Sequence, residues 1–297
     1  MIISASYKTD IPAFYGEWFL HRLREGYCKT LNHYNRQVTR ISLMRDDVDG
    51  FVFWTRNIGG FQDALAEVNR LGYPFMIQHT INDYPKKLER AVIPAARAIE
   101  NVHRVADLYG PRICVWRYDP IIESTLTPRD HHLATFARLA KTLEGAVDEV
   151  AISFIRLYQK TTRNLRMVGD EDSFSYVEST KEWKQELIQD LSSIASSHGI
   201  RLSLCSHPDL LDSCCQEARC VDAERLRDIG GERFNANRRG TRKECACFES
   251  RDIGEYDTCP HGCVYCYAVK DRPLALERYR EHDPLAEMLF ELPSTST

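Results

Sequence analysis

Short apolar runs alternate with longer stretches in which apolar residues recur every three or four positions, and this alternation repeats six times. The runs Ile2–Ser6, Phe51–Thr55, Phe75–Thr80, Ile113–Arg117, Val150–Phe154 and Arg201–Cys205 are apolar on both sides or nearly so, and each predicts a strand. The stretches between them predict helices. Residues Pro12 to Glu25 carry the stripe Phe14, Trp18, Phe19 and Leu20, with Pro12 suited to a first turn. Phe61 to Leu71 stops at Gly72, and Leu88 to Tyr109 stops at Gly110, each glycine a natural helix terminator. Pro128 to Leu143 has Thr127 as its N-cap, Ser179 to Ser196 follows, and a short helix near Asp222 to Asp228 closes the repeat.

Strands and helices in strict alternation imply a parallel sheet with helices outside it. The expected fold class is α/β, and six units suggest a partial (β/α)6 TIM-like barrel rather than eight closed ones. After about Gly230 the texture changes. Residues 231–258 are rich in charge, Gly and Asn with little periodicity, and read as an irregular segment wrapped around metal. Leu274 to His282 and Pro284 to Leu292 predict terminal helices, and Pro293 to Thr297 predict disorder. Two regions result: 1–230 as the partial barrel, and 231–297 as a Cys-rich, cluster-binding segment with terminal helices, packed on the barrel as one unit.

Composition narrows the class. A chain of 297 residues with 43% hydrophobic and 28% charged residues can bury a sizeable core. The net charge of -4 and a pI near 6.2 leave no basic stripe, so a nucleic-acid partner is not indicated. No apolar run reaches the roughly 20 residues that span a bilayer, so no membrane partner is expected. The opening Met1-Ile2-Ile3-Ser4-Ala5-Ser6 reads as a strand rather than a signal peptide. Eleven cysteines without an export signal point to metal ligands or buried thiols in the cytoplasm rather than to disulfides.

Those cysteines carry the chemistry. Cys259, Cys263 and Cys266 stand in C-x-x-x-C-x-x-C spacing with Tyr265 just before the last. Three thiolates on one loop can hold three irons of a 4Fe–4S cluster and leave the fourth iron open, since a closed cluster takes four cysteines. Half of a zinc site is the alternative, although zinc knuckles use C-x-x-C pairs set farther apart. A second group comprises Cys205, Cys220 and the close pair Cys245 and Cys247: four thiolates, enough for a second cluster or a tetrahedral zinc site. The neighbours Cys214 and Cys215 offer a substitute for Cys220, while Cys28 and Cys114 read as core.

Ligands of parallel βα folds gather at the C-terminal ends of the strands. Here those ends are polar. They carry Ser6, Lys8, Thr9 and Asp10; Thr55, Arg56 and Asn57; Gln78, His79 and Asn82; Arg117 and Asp119; Ser153, Arg156, Tyr158 and Lys160; and Ser206 and His207. Asp10 can equally cap the first helix, and Arg117 can simply pair with Asp119. His79, His103 and His198 are scattered and are not expected to be ligands.

Ser4-Ala5-Ser6, Thr9-Asp10-Ile11-Pro12-Ala13-Phe14-Tyr15, Val52-Phe53-Trp54-Thr55, Trp116-Arg117-Tyr118-Asp119-Pro120-Ile121, Ile152-Ser153-Phe154 and the stretch from Asp252 to Cys263 resemble the bacterial family catalogued as domain of unknown function 1848. That resemblance supplies no substrate. At Tyr7-Lys8 the family pattern has two basic residues, and Tyr7 departs from it. A looser resemblance, carried only by Cys259, Cys263, Tyr265 and Cys266, is to radical S-adenosylmethionine (SAM) enzymes. Those enzymes carry the loop after their first strand, whereas here it follows the last βα unit, a permuted arrangement. Their Gly-Gly-Glu stretch is absent, since Gly59-Gly60 is followed by Phe61.

What the second resemblance implies is reductive cleavage of SAM. One electron reaches the sulfonium through the open iron, the C5′–S bond breaks, and a 5′-deoxyadenosyl radical takes hydrogen from a substrate of unknown identity. Cys259, Cys263 and Cys266 would ligate the cluster, with Tyr265 beside it and the adenine. Ser6, Thr9, Asp10, Thr55, Arg117 and Asp119 are the candidates for SAM and substrate contacts. The second group would hold an auxiliary cluster, and a flavodoxin or ferredoxin would supply electrons. The competing readings are a zinc-stabilised protein, a metal-dependent hydrolase or nuclease, and an iron–sulfur module without SAM chemistry.

Overall fold

The computed structural model describes residues 1–32, 35–172, 174–230, 236–239 and 244–291. The sequence expectations for 231–235, 240–243 and 292–297 lie outside the described residues.

All six expected strands form, as β1 (Ile2–Ala5), β4 (Gly50–Thr55), β5 (Phe75–Thr80), β6 (Cys114–Ile121), β7 (Glu149–Phe154) and β8 (Arg201–Leu204). Four further strands have no strong apolar run to announce them. β2 (Tyr27–Leu31) and β3 (Val38–Ser42) make a separate antiparallel hairpin, while β9 (Gln216–Glu217) and β10 (Ser250–Asp252) join the main sheet. The eight-stranded order is β10-β1-β4-β5-β6-β7-β8-β9, with every neighbouring pair parallel. This is a mixed α/β fold with a large parallel sheet. It has eight strands rather than six, and the sheet is not closed, because its edge strands β10 and β9 do not pair with each other.

The helices are α1 (Ile11–Phe14), α2 (Gly16–Glu25), α3 (Gln62–Arg70), α4 (Ala95–Tyr109), α5 (Arg129–Leu143), α6 (Gln159–Asp172), α7 (Lys181–Ser197), α8 (Ala223–Gly230) and α9 (Arg272–Arg280). The single helix expected over Pro12–Glu25 is broken at Tyr15, whose non-helical backbone separates α1 from α2 and whose ring is buried. The helix expected from Leu88 begins only at Ala95, because Leu88–Ala91 is used to bind a loop described below. Thr127 does not cap α5; its hydroxyl donates to the Ile122 carbonyl instead, and Pro128 holds the cap position. Between Pro284 and Glu291 the chain forms turns and bends rather than a helix.

Strand side chains alternate between two faces. Ile3, Ala5, Phe51, Phe53, Phe75, Ile77, Trp116, Val150, Ile152, Leu202 and Leu204 share one core with α2, α3, α4, α5 and α7. Within it Phe19 packs edge-on against Phe51 and Phe53 at 5.5 and 5.3 Å. Truncating a ring as buried as Phe53 to alanine costs about 3–5 kcal/mol. The opposite face, with Ile2, Val52, Met76, Val115 and Ala151, is covered by a smaller core from α8 and the cysteine-bearing segments: Cys220, Val221, Leu226, Cys247 and Phe248. One set of cysteines is thus built into the sheet's second face.

Candidate functional site

The three-cysteine loop follows β10, and β10 lies beside β1 at the sheet edge, so the loop stands over the C-terminal end of the sheet. Three kinds of contact hold it there. Its backbone zips onto residues 88–91: Ala91 N–H donates to the His261 carbonyl at 2.8 Å and Val264 N–H to the Leu88 carbonyl at 3.0 Å. Its base is anchored by Tyr15, whose hydroxyl donates to the Thr258 carbonyl, and by Tyr267, whose hydroxyl donates to the Tyr7 carbonyl at 2.6 Å. Gly262 permits the turn, since its φ of 70° is left-handed and a Cβ there would lie 2.6 Å from Arg272 Cδ.

Asp10 ties this loop to the first strand. One carboxylate oxygen caps α1 through Ala13 N–H at 3.0 Å; the other accepts from Arg56 N–H at 2.7 Å and from His261 Nε2 at 2.8 Å. The capping and the site readings of Asp10 are therefore one arrangement. Ser6 and Thr9 lie in the same turn. Ser6 Oγ donates to Asp252 Oδ1 at 2.7 Å, and among the described residues the buried Thr9 hydroxyl has no hydrogen-bond partner. Thr55 Oγ1 accepts from Asn57 N–H at 2.8 Å, which shapes the turn after β4.

Tyr265 turns its hydroxyl into a buried network. It accepts from Arg56 Nη2 at 2.7 Å and from Asn82 Nδ2 at 3.2 Å, and it donates to Glu89 Oε1. Arg56 also pairs with Glu89 at 2.7 Å. Burial pushes the Cys263 thiol up to about 12 even though the Arg56 guanidinium acts against it. Burial likewise raises Cys259, with Asp10 and the two other loop cysteines adding to it, and raises Cys266, which Arg56 and Lys160 oppose. Burial thus favours the neutral thiol at all three, and a metal binding there would have to displace their protons.

The four remaining expected ligands also meet. Cys205 and Cys220 sulfurs are 3.6 Å apart, and Cys220, Cys247 and Cys245 continue the line by thiol hydrogen bonds. The Cys247 hydrogen bond brings Cys245 down to about 6, making it the one thiol of the four held near its thiolate form. Arg117 belongs here rather than at the three-cysteine loop. Its Nη1 donates to Cys220 Sγ at 2.8 Å and to Gln78 Oε1 at 3.2 Å, its Nη2 to Asp119 Oδ2 at 2.8 Å, and it lies 5.3 Å from the Trp54 ring centre. Asp119 accepts further from Ser153 Oγ. Arg117 does pair with Asp119, and the pair also serves the second group.

Zinc–sulfur bonds of about 2.3 Å put tetrahedral sulfurs about 3.8 Å apart. The Cys205–Cys220 separation matches that spacing. Among the described residues the one trio of metal-binding side chains whose ligand atoms all lie within 4.8 Å of one another is Asp212, Cys214 and Cys215. It sits beside the start of β8 with Arg201 and Leu202, so Cys214 and Cys215 do not replace Cys220. Cys28 and Cys114 are buried in the main core.

A family model described as Domain of unknown function (DUF1848) matches residues 2–268. The chain belongs to that family. The DUF1848 match runs from β1 through Cys266, so both cysteine groups lie within the family's domain. No curated protein matches the chain significantly.

Arg56, Asn82, Glu89, His261 and Asp252 shape the site but were not among the expected site residues. Arg56 and Asn82 were visible as polar strand ends. Glu89 lay inside an expected helix and His261 inside the cysteine loop, and neither carried a signal of its own.

Proposed function

We propose that this protein is a radical SAM-type enzyme with its cluster loop at the C-terminal end of the chain, acting on a substrate not yet identified. The observation that carries this reading is the position of β10. It is last in the chain, yet it is an edge strand paired in parallel with β1, so the cysteine loop follows the first strand of the sheet in space. The permutation noted in sequence is thereby compatible with the usual placement of such a loop.

Cys259, Cys263 and Cys266 would hold three irons of a 4Fe–4S cluster. Bound there, that cluster supplies the single electron that splits SAM into methionine and a 5′-deoxyadenosyl radical. Asp10 and His261 orient the loop, and Arg56, Asn82, Glu89 and Tyr265 close its underside against water. Ser6, Thr9 and Thr55 stand in the turns nearest the loop and remain the candidates for SAM contacts. The singly wound strand order, with helices on one face and the small core on the other, supports reading the open sheet as a partial barrel.

The group of Cys205, Cys220, Cys245 and Cys247 supplies a complete four-thiol set, read as an auxiliary cluster. A specific observation favours zinc as the second reading there: the 3.6 Å Cys205–Cys220 contact. A flavodoxin or ferredoxin is the proposed electron donor.

The test is anaerobic purification, measurement of iron, sulfide and zinc, reduction with dithionite, and addition of SAM. The expected result is a brown protein that forms 5′-deoxyadenosine, with loss of both about four irons and this product in Cys263→Ala. A colourless zinc protein, or turnover that persists in Cys263→Ala, overturns the reading. Replacing Cys245 and Cys247 together should remove only the metal held beyond the loop.

A further inference from the structure

We propose that the amino end of α6 is an anion subsite beside the three-cysteine loop, built from the Lys160 ammonium, the Thr161 hydroxyl and the first-turn amides, and that it takes a carboxylate or phosphate of the substrate. The assignment to the substrate rests on the proposed function; the anion site itself does not.

Three features of the first turn of α6 carry the proposal. The first is the helix end. α6 spans 14 residues, and its first amides have no partner within the helix and carry the positive end of its dipole. The second is Thr161. Thr161, Leu165 and Val168 recur at helical spacing on one face, and Leu165 and Val168 pack in the cluster that contains Val264 and Tyr265 of the cysteine loop. Thr161 therefore sits at the loop-facing end of that stripe. It is 0% exposed, and its hydroxyl has no hydrogen-bond partner among the described residues. A buried hydroxyl left unpaired is unfavourable, and a ligand oxygen would satisfy it.

The third feature is Lys160. Its ammonium lies 5.9 Å from the Tyr256 ring centre, and Lys8 Nζ lies 5.4 Å from the same ring. Lys8 is engaged by the Gly254 carbonyl at 3.3 Å and Asp252 at 3.7 Å. Lys160, half-buried, pairs with no carboxylate among the described residues. Two ammonium groups are drawn to one ring, and among the described residues no carboxylate pairs with Lys160. Arg163 fastens the same helix to the chain just beyond the loop by donating to the Lys270 carbonyl at 2.7 Å.

The experiment titrates the full-length, metal-loaded protein with inorganic phosphate and separately with acetate, against chloride at equal ionic strength, and reads the unfolding midpoint. Phosphate, acetate or both should raise the midpoint of the parent protein. Lys160→Met should weaken that binding at least about tenfold and Thr161→Val several-fold, while Lys141→Met on the exposed side of α5 should leave it unchanged. A response only to phosphate assigns a phosphate-bearing substrate, and a response only to acetate assigns a carboxylate. No response to either ion, or an equal response in all variants, overturns the subsite. If SAM displaces the ion through Lys160, the anion belongs to the cofactor and the substrate assignment falls. None of these readings needs turnover, so absence of 5′-deoxyadenosine with a Lys160-dependent anion response refutes the proposed function and leaves the anion site standing.

Discussion

His261 Nε2 and Asp10 Oδ2 meet at 2.8 Å across a sequence separation of 251 residues. The contact locks the turn after the first strand to the middle of the cysteine loop, and both partners are buried. Asp10→Ala would strand three donors at once: Ala13 N–H, Arg56 N–H and the His261 ring. The expected loss is about 2–4 kcal/mol, given roughly 1–3 kcal/mol for a buried group left unpaired. Metal bound by Cys259, Cys263 and Cys266 should fall with it, while metal held at Cys205, Cys220, Cys245 and Cys247 stays. Chemical denaturation and metal content of the purified variant check both halves.

Gly254 follows β10 and presses on the turn after β1. A Cβ there would collide with Ser6 Oγ, lie 2.5 Å from Ser6 Cβ and come within 3.2 Å of Thr9 Cγ2. Gly254→Ala should cost about 1–3 kcal/mol by overpacking. Pairing it with Ser6→Gly should restore much of the loss, measured by a double-mutant cycle. Purely additive effects would show that a side chain at 254 does not meet the Ser6 side chain.

Arg117 is buried with Asp119 and Cys220 as partners. Burial alone would raise the Asp119 carboxyl, but the Arg117 guanidinium and the Ser153 hydroxyl outweigh it and hold the carboxyl below its usual 3.8. Arg117→Ala leaves that carboxylate without its cation, and the expected cost is about 3 kcal/mol. Because the native pKa is lowered, the pairing contributes fully above pH 3.8 and is lost as pH falls through the native value. The parent and variant should therefore converge in stability at strongly acid pH and differ most at neutral pH. Arg117→Lys keeps the charge but not the fork, and should recover only part of the loss.

Two buried histidines set a second pH window. Burial holds His79 near 4, with Asp10 opposing and Arg56 assisting, and burial holds His132 near 4 against its hydrogen bond to the Ile122 carbonyl. Between pH 6.5 and 4 the unfolded chain takes up protons that the native protein refuses, so stability falls as pH falls. The slope should be on the order of 1 kcal/mol per pH unit for each histidine. Denaturant unfolding at pH 7, 6 and 5 measures it, and His132→Gln should reduce the slope even while lowering stability through the lost Tyr118 and Ile122 contacts.

The elements visible in sequence were those with a local reason to exist. β4, β5 and β7 are apolar on both faces, and burial on two sides admits little else. The β2–β3 hairpin escaped notice because most of its residues are exposed or half-buried, so no alternation marks it. α6 escaped because it is mostly polar, its only long apolar stripe being Leu165 and Val168 below Thr161. At the site, both cysteine groups were legible, since loop spacing and counting suffice to propose them. Arg117 was expected with the SAM contacts, yet it serves Cys220, because β6 pleats that side chain onto the face covered by α8 and the cysteine segments.

The chain by itself determined the strand–helix alternation and the trio Cys259, Cys263 and Cys266, because hydrophobic period and ligand spacing act over a few residues. Only the tertiary structure decided that β10 inserts beside β1, that Cys205, Cys220, Cys245 and Cys247 gather on the second face, and that Asp10 meets His261. Those contacts join residues far apart in the chain. They are selected by which strand edge and which sheet face remain to be covered once the main core has closed, and no local pattern of residues records that choice.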